Sequence, residues 1–326
     1  NLPLAGRAVL AGFRQLDPAL DEAAQSLGAG RWSTEVNASA VNDLGRHRGF
    51  GDPPASPSPP NPFYSFAVHE QNTAFWIAED DSGVVGFSLS LVYGSFWFLS
   101  SLFIRPTYQG RGVGRALIER ALTHSDGTEI TNRTLVTFAY NPTSISLYIR
   151  YGMYPRESIY LISGPREAIG TRLQEAQAQP EANLAHLEMR VAGYEATADL
   201  SGIDEQVLGF PRDQLHRYLL GAPGSSCYLV RERGLLRGYV YIWANGRIGP
   251  LAAVDPANFP WVMSKAVEIA AKGTASEIFT IVAGGNEDAL SISMGCGMRS
   301  VRPMLIMAAR PFGHWDRYLF HSPGLL

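Results

Sequence analysis

Charge is scarce in this sequence. Asp, Glu, Lys and Arg make up 17% of its 326 residues, against about 25% in an average soluble chain. The net charge is −3, so no basic excess points to a nucleic-acid groove or an anionic membrane surface, and neither partner is expected. Cysteine is scarcer still. Cys227 and Cys296 are too few for a disulfide framework, and a reducing cytoplasm is the expected location. The seven histidines fall in no metal-ligand spacing. There is no His-Glu-x-x-His, no paired Cys motif and no Gly-x-Ser-x-Gly elbow, so no metal is expected. The first residues lack a basic stretch leading into an apolar core, which argues against a secretory signal.

Long uncharged runs are also few, with one exception. Val84 to Ile104 carries no charge and is long enough to span a bilayer as a helix. It is rich in β-branched and aromatic residues, and Tyr93-Gly94-Ser95 interrupts it. Two buried hairpin strands are therefore expected.

What is present is organised around Leu102 to Leu117. An apolar run ends at Arg105-Pro106, a turn rich in Gly and Arg follows, and Arg115 to Leu122 has the apolar spacing of a helix. A helix start leaves unpaired N–H groups and a partial positive charge, which suit phosphate. Gly110, Gly112 and Gly114 have no Cβ, so the backbone can approach a bulky anion. Arg111 and Arg115 add charge at the rim. Without a ligand the same pattern is an ordinary strand-to-helix turn. A Walker loop is excluded because no Lys follows the glycines. A dinucleotide fingerprint wants an acidic residue at a following strand end, and Asp126 and Glu129 lie in a turn cluster.

Gln109-Gly110-Arg111-Gly112-Val113-Gly114 resembles the Gln/Arg-x-x-Gly-x-Gly/Ala pyrophosphate loop of the GCN5-related N-acetyltransferases, the GNAT superfamily. A second match lies in Asn141 to Met153, where the family pattern is Asn, a helix carrying Tyr, then Gly and an apolar residue. The two motifs occur in the family's order over about residues 62–162. The resemblance implies an acyltransferase moving acetyl from acetyl-CoA to a primary amine by direct attack on the thioester. Main-chain groups of Leu102, Phe103 and Ile104 would pair with the pantetheine arm. Gln109, Gly110, Arg111, Gly112, Val113, Gly114, Arg115 and Ala116 would hold the pyrophosphate. A main-chain N–H at the strand end would face the developing oxyanion. Tyr148 would be the acid for the leaving thiolate, since a phenol titrates near pH ~10. A core aromatic is the alternative, with Tyr151 as the fallback acid. Asn141 either bonds the CoA arm or caps its helix. No base is identifiable: Phe96 to Ser101 carries no carboxylate. An acyl-CoA-binding sensor or scaffold without turnover is the rival reading. The acceptor is a small-molecule or peptide amine, and a homodimer is one option for assembly.

The expected architecture is α/β, with two tandem GNAT-like domains, each a mixed, mostly antiparallel twisted sheet flanked by helices. Residues 1–45 are an N-terminal helical segment. Asp17-Pro18 starts a helix that Gly28 ends, and Ala8 to Gln15 is the candidate first strand. Glu22, Ala23, Ala24 and Gly28 also resemble an ABC permease cytoplasmic loop, though no membrane helices accompany it. Residues 34–62 read as polar and then proline-rich, with 46–62 a linker. The catalytic core spans 63–162, with Ile159 to Ile162 closing its sheet, and a linker covers 163–187. Residues 188–310 echo the first half. Asn286 and Gly297-Met298 repeat Asn141 and Gly152-Met153 at one common offset, a period of roughly 150 residues. The echo lacks glycines after Pro256 and has Ser293 where Tyr148 stands, so it is expected to be degenerate. The tail 311–326 is aromatic and should pack back onto it.

Overall fold

The computed structural model describes residues 12–15, 29–47, 62–70, 72–125, 127–176 and 186–326. The chain forms two compact units, Asn1–Thr134 and Leu135–Leu326.

In the first unit, strands β1 (Gly12–Gln15), β2 (Thr73–Asp80), β3 (Gly83–Tyr93) and β4 (Phe96–Ile104) lie side by side in that order, each antiparallel to the next. Helices α1 (Ala29–His47) and α2 (Pro62–Val68) precede β2, and α3 (Val113–Thr123) follows β4. Helix α3 buries Val113 and Leu117 against Ala78 and Val85, with Leu102, Ile104 and Trp76 around them. The other face holds an aromatic layer. Tyr64 of α2 packs on Phe75 and Phe87 at ring-centroid distances of 6.0 and 5.4 Å, and Phe87 packs on Phe103 at 5.7 Å. Each such buried ring contributes about 1.5–3 kcal/mol. A sheet covered on both faces has apolar side chains at successive positions rather than alternate ones. That is why Val84 to Ile104 has the look of a bilayer span yet forms a hairpin turning at Gly94, whose φ is 58°. Among the described residues, no helix is long and apolar enough to cross a membrane.

Helix α1 departs from the expected polar segment. It starts beyond Gly28, runs through Gly30 and ends at His47. Its buried positions include Ser33 and Val36, too little apolar character for a visible helical period. The helix expected from Asp17, the permease-like residues 22–28, and most of the proline-rich stretch lie outside the described residues. The candidate first strand is present as β1.

Strand β5 (Asn132–Phe138) spans the boundary between the units. The second unit continues with α4 (Pro142–Arg150), β6 (Tyr154–Pro165), α5 (Arg166–Ala176), β7 (Leu187–Ala192), α6 (Thr197–Leu208) and α7 (Asp213–Gly221). Then follow β8 (Ser225–Glu232), β9 (Leu235–Trp243), β10 (Ile248–Ala253), α8 (Phe259–Ala271), β11 (Glu277–Ala283), α9 (Glu287–Gly295), β12 (Arg299–Ala308) and β13 (Tyr318–Phe320). Apart from the short connecting helices, the order from β7 repeats that from β1: strand, two helices, three strands, helix, strand, helix, strand.

Strand order in this unit is β12-β6-β11-β13-β10-β9-β8-β7. Strand β6 is longer than the expected Ile159 to Ile162 and does not close a sheet of the first half. It pairs antiparallel with β12 on one side and β11 on the other, so that Ile159 faces both Met304 and Ala283. The aromatic tail packs back as expected: β13 lies between β10 and β11, with Leu319 opposite both Leu251 and Val282.

Candidate active site

At the end of strand β4, Leu102, Phe103 and Ile104 are paired to Ser88, Phe87 and Gly86. All three are half-buried. Arg105 N donates to Val85 O at 2.8 Å and Arg105 Nε to Val84 O at 2.7 Å, which pins the strand end before Pro106 starts a turn of 3-10 helix through Tyr108. Gln109 reaches back, its Nε2 donating to Ile104 O at 3.2 Å.

The turn then opens. Gly110 has φ 75° and Gly112 φ 87°, the left-handed region where only glycine is unstrained. A Cβ built on either would meet no atom within 4 Å. The space is open on the outer side of the loop, where an anion's oxygens would reach the backbone. Gly112 is the N-cap of α3, and no side chain caps the helix. Its first-turn N–H groups are therefore left without a side-chain acceptor at the positive end of the helix dipole. Gly114 lies within the first turn. The residues present fit a bulky phosphate group.

Two features that the sequence reading did not foresee hold the loop in place. Tyr108 donates its hydroxyl to Asp80 Oδ2 at 2.6 Å, and its hydroxyl lies 3.1 Å from Ser82 Oγ. Ser82 also donates through Oγ and N to Asp80 Oδ1, at 2.6 and 2.8 Å. These bonds from Ser82 and Tyr108, aided by the Arg111 charge, hold the Asp80 carboxyl below its ordinary range. Arg111 sits over the Tyr108 ring, its guanidinium carbon 5.3 Å from the centroid, while Arg115 pairs with Glu119 at 3.0 Å. The second feature is Gly86. A Cβ there would lie 3.0 Å from Phe103 O and 3.3 Å from Leu117 Cδ1, so its absence lets α3 settle close to the strand end. Asp80 and Gly86 read as ordinary turn and strand residues until these contacts are seen.

Asn141 and Tyr148 belong to the second unit. Asn141 caps α4: its Oδ1 accepts from Ser144 N at 3.1 Å. Asn286 does the same for α9, accepting from Ala289 N at 2.9 Å. Tyr148 is the buried residue of α4. Burial drives its phenol well above the ordinary range, and a bond with Ser144 offsets this only in part. It is protonated at any physiological pH.

In the second unit the stretch between β10 and α8, at the same place in the element order as the glycine loop, carries no glycine. Asp255 Oδ1 accepts from Ala257 N at 2.9 Å. Phe259 is fully buried at the first position of α8, and Pro260 follows it. Strand β10 is paired with β9 on one side and with β13 on the other. Among the described residues, no group of His, Cys, Asp or Glu could hold a metal ion.

Known proteins resemble this chain in part of its sequence and in its fold. Residues 47–153, about a third of the chain, match the family model described as the acetyltransferase (GNAT) family. Three solved structures share the fold along nearly the whole chain. A protein provisionally assigned as an acetyltransferase from Pyrococcus horikoshii aligns with a TM-score of 0.67 at 15% identity, covering 97% of this chain and 95% of its own. A GCN5-related N-acetyltransferase from Sphaerobacter thermophilus gives 0.59 at 13% identity, covering 94% and 98%. A tandem GNAT protein from the clavulanic acid biosynthesis pathway gives 0.55 at 17% identity, covering 92% and 99%. The architecture is thus the mixed α/β fold of GNAT structures, with a twisted, mostly antiparallel sheet and flanking helices.

Proposed function

We propose that this protein is an acetyl-CoA-dependent N-acetyltransferase acting on the primary amine of a small molecule or peptide. The observation that carries this reading is the open, left-handed glycine loop at the uncapped start of α3. Acetyl-CoA would supply an activated acetyl thioester. Residues Gln109 to Ala116 would bind its diphosphate through main-chain N–H groups, and Leu102, Phe103 and Ile104 would pair with the pantetheine arm. Tyr148 would donate the proton to the leaving thiolate, its phenol being protonated at neutral pH. The cap made by Asn141 would orient the helix that carries Tyr148. In this reading the catalytic core is 63–162. In the same reading residues 188–310 form a degenerate second copy, because Phe259 and Pro260 stand where glycines would be needed.

The test is calorimetric titration with acetyl-CoA, followed by acetyl-CoA consumption against an amine panel. Micromolar binding lost in Gly112→Trp, with turnover of at least one amine, is the expected result. No binding to the unaltered protein would refute the assignment. Binding without turnover across a broad panel would favour the rival reading, an acyl-CoA sensor, for which the lack of a carboxylate in Phe96 to Ser101 is the supporting observation.

A further inference from the structure

The aromatic layer of the first unit contains one polar chain. Asn37 Nδ2 of α1 donates to the Tyr64 hydroxyl at 3.1 Å, and that hydroxyl lies 3.2 Å from Ser101 Oγ on β4. Tyr64 and Ser101 are 3% and 5% exposed. Burying hydroxyls among Phe75, Phe87 and Phe103 is costly unless each is hydrogen-bonded, and this chain bonds both. The Tyr64 oxygen accepts from Asn37, and either hydroxyl can donate in the bond between Tyr64 and Ser101; the sense used below is the one in which Tyr64 donates. The Ser101 oxygen then accepts, and its own proton is left to donate. Burial holds the Tyr64 phenol above its ordinary range, offset in part by the bonds with Ser101 and Asn37, so the middle of the chain keeps its proton and nothing in it serves as a base.

Ser101 also occupies a particular place along β4. Opposite β3, Leu89 pairs with Ser101 and Ser90 with Leu99, so Ser100 is an extra residue. Such a bulge interrupts the ladder and redirects neighbouring side chains. In the cofactor reading above, on which this inference rests, the diphosphate lies at 109–116 and the pantetheine arm runs back along 104 to 102. The thioester end then arrives next at Ser101.

We propose that the Ser101 hydroxyl, oriented by Tyr64 and Asn37, donates a hydrogen bond to the thioester carbonyl oxygen of the bound acyl-CoA. As the amine nitrogen forms its bond to the carbonyl carbon, the C=O electron pair moves onto oxygen, where this donor meets the growing charge. When the C–S bond breaks, the pair returns to re-form C=O, the sulfur leaves with its bonding electrons and takes up the proton of Tyr148 as in the reading above, and the nitrogen gives its surplus proton to solvent water. Ser101 transfers no proton in either step. Donors aimed at such an oxygen in a dry site are effective because they are already oriented, and the aromatic wall keeps the surroundings apolar.

The test is carbon-13 NMR of acetyl-CoA labelled at the thioester carbonyl, bound to the full chain, which needs no acceptor. The bound carbonyl should resonate downfield of free acetyl-CoA. In Ser101→Ala it should move back upfield while acetyl-CoA affinity stays within about twofold. Ser101→Thr, which keeps the hydroxyl, should retain the downfield position, and Tyr64→Phe should lose part of it. A Ser101→Ala complex with the unaltered resonance would overturn this inference and leave the cofactor reading standing. Failure of the unaltered protein to bind acetyl-CoA would overturn both.

Discussion

The Tyr108 hydroxyl donates to Asp80 Oδ2 at 2.6 Å. One bond therefore joins the turn between β2 and β3 to the turn that carries the glycine loop. The two turns are far apart in sequence, and the Tyr108 hydroxyl also lies 3.1 Å from Ser82 Oγ of the first.

Loss of that bond should loosen the loop without removing any group that touches an anion. Tyr108→Phe keeps the ring under Arg111 and deletes only the hydroxyl. Acetyl-CoA affinity measured by calorimetry should fall about 3- to 10-fold, the loss of about one hydrogen bond, with an unchanged melting temperature. Asp80→Asn should give a similar loss. An affinity equal to that of the unaltered protein would show that the loop holds its shape unaided.

Gly86 should resist even the smallest side chain. The added methyl of Gly86→Ala would press on Phe103 O and Leu117 Cδ1, and overpacking of this kind costs about 1–3 kcal/mol. Chemical denaturation should show that loss, with acetyl-CoA affinity reduced as well, because α3 would be lifted from the strand end.

The fully buried cluster in the second unit should make stability depend on acidity. Asp204 Oδ2 accepts from Arg212 Nε and from His216 Nε2, each at 2.7 Å. Burial alone would raise the Asp204 carboxyl, but the Arg212 and His216 charges outweigh it and hold it at about 2. An unfolded aspartate titrates near ~3.9. The folded value is the lower one, so this contribution is fully present above about pH 4 and is lost as pH falls from there through about 2. Denaturation measured at pH 7, 4 and 3 should show the decline. Asp204→Ala should flatten it and cost about 3–5 kcal/mol at pH 7, because Arg212 is left buried and unpaired.

Tyr148 offers a test by pH of a different sense. Burial raises its phenol, so proton donation should persist beyond pH ~10, where a free tyrosine titrates. Tyr148→Phe should lower kcat more than it weakens acetyl-CoA binding. Equal kcat in the two proteins would make Tyr148 a core residue only.

Much of the local structure was legible in the residues. Pro106 and the spaced glycines marked a strand-loop-helix unit because proline ends pairing and glycine alone takes the left-handed turn. Asn141-Pro142 marked a helix start, and Asn286 repeated it. The hairpin in Val84 to Ile104 was readable from Gly94 and the β-branched composition. Helix α1 was not, because it buries Ser33 and Val36 rather than an apolar stripe.

The sequence by itself determined the elements whose cause is local: turns, caps, and the open glycine loop before α3. Only the tertiary structure decided partners. It put β6 between β12 and β11, β13 against β10, Tyr108 on Asp80, and Ser101 at the end of a chain from Asn37. The physical reason is that a strand's alternation and a hydroxyl's donor capacity are the same whichever neighbour satisfies them. Packing of distant segments selects that neighbour, and no local spacing records the choice.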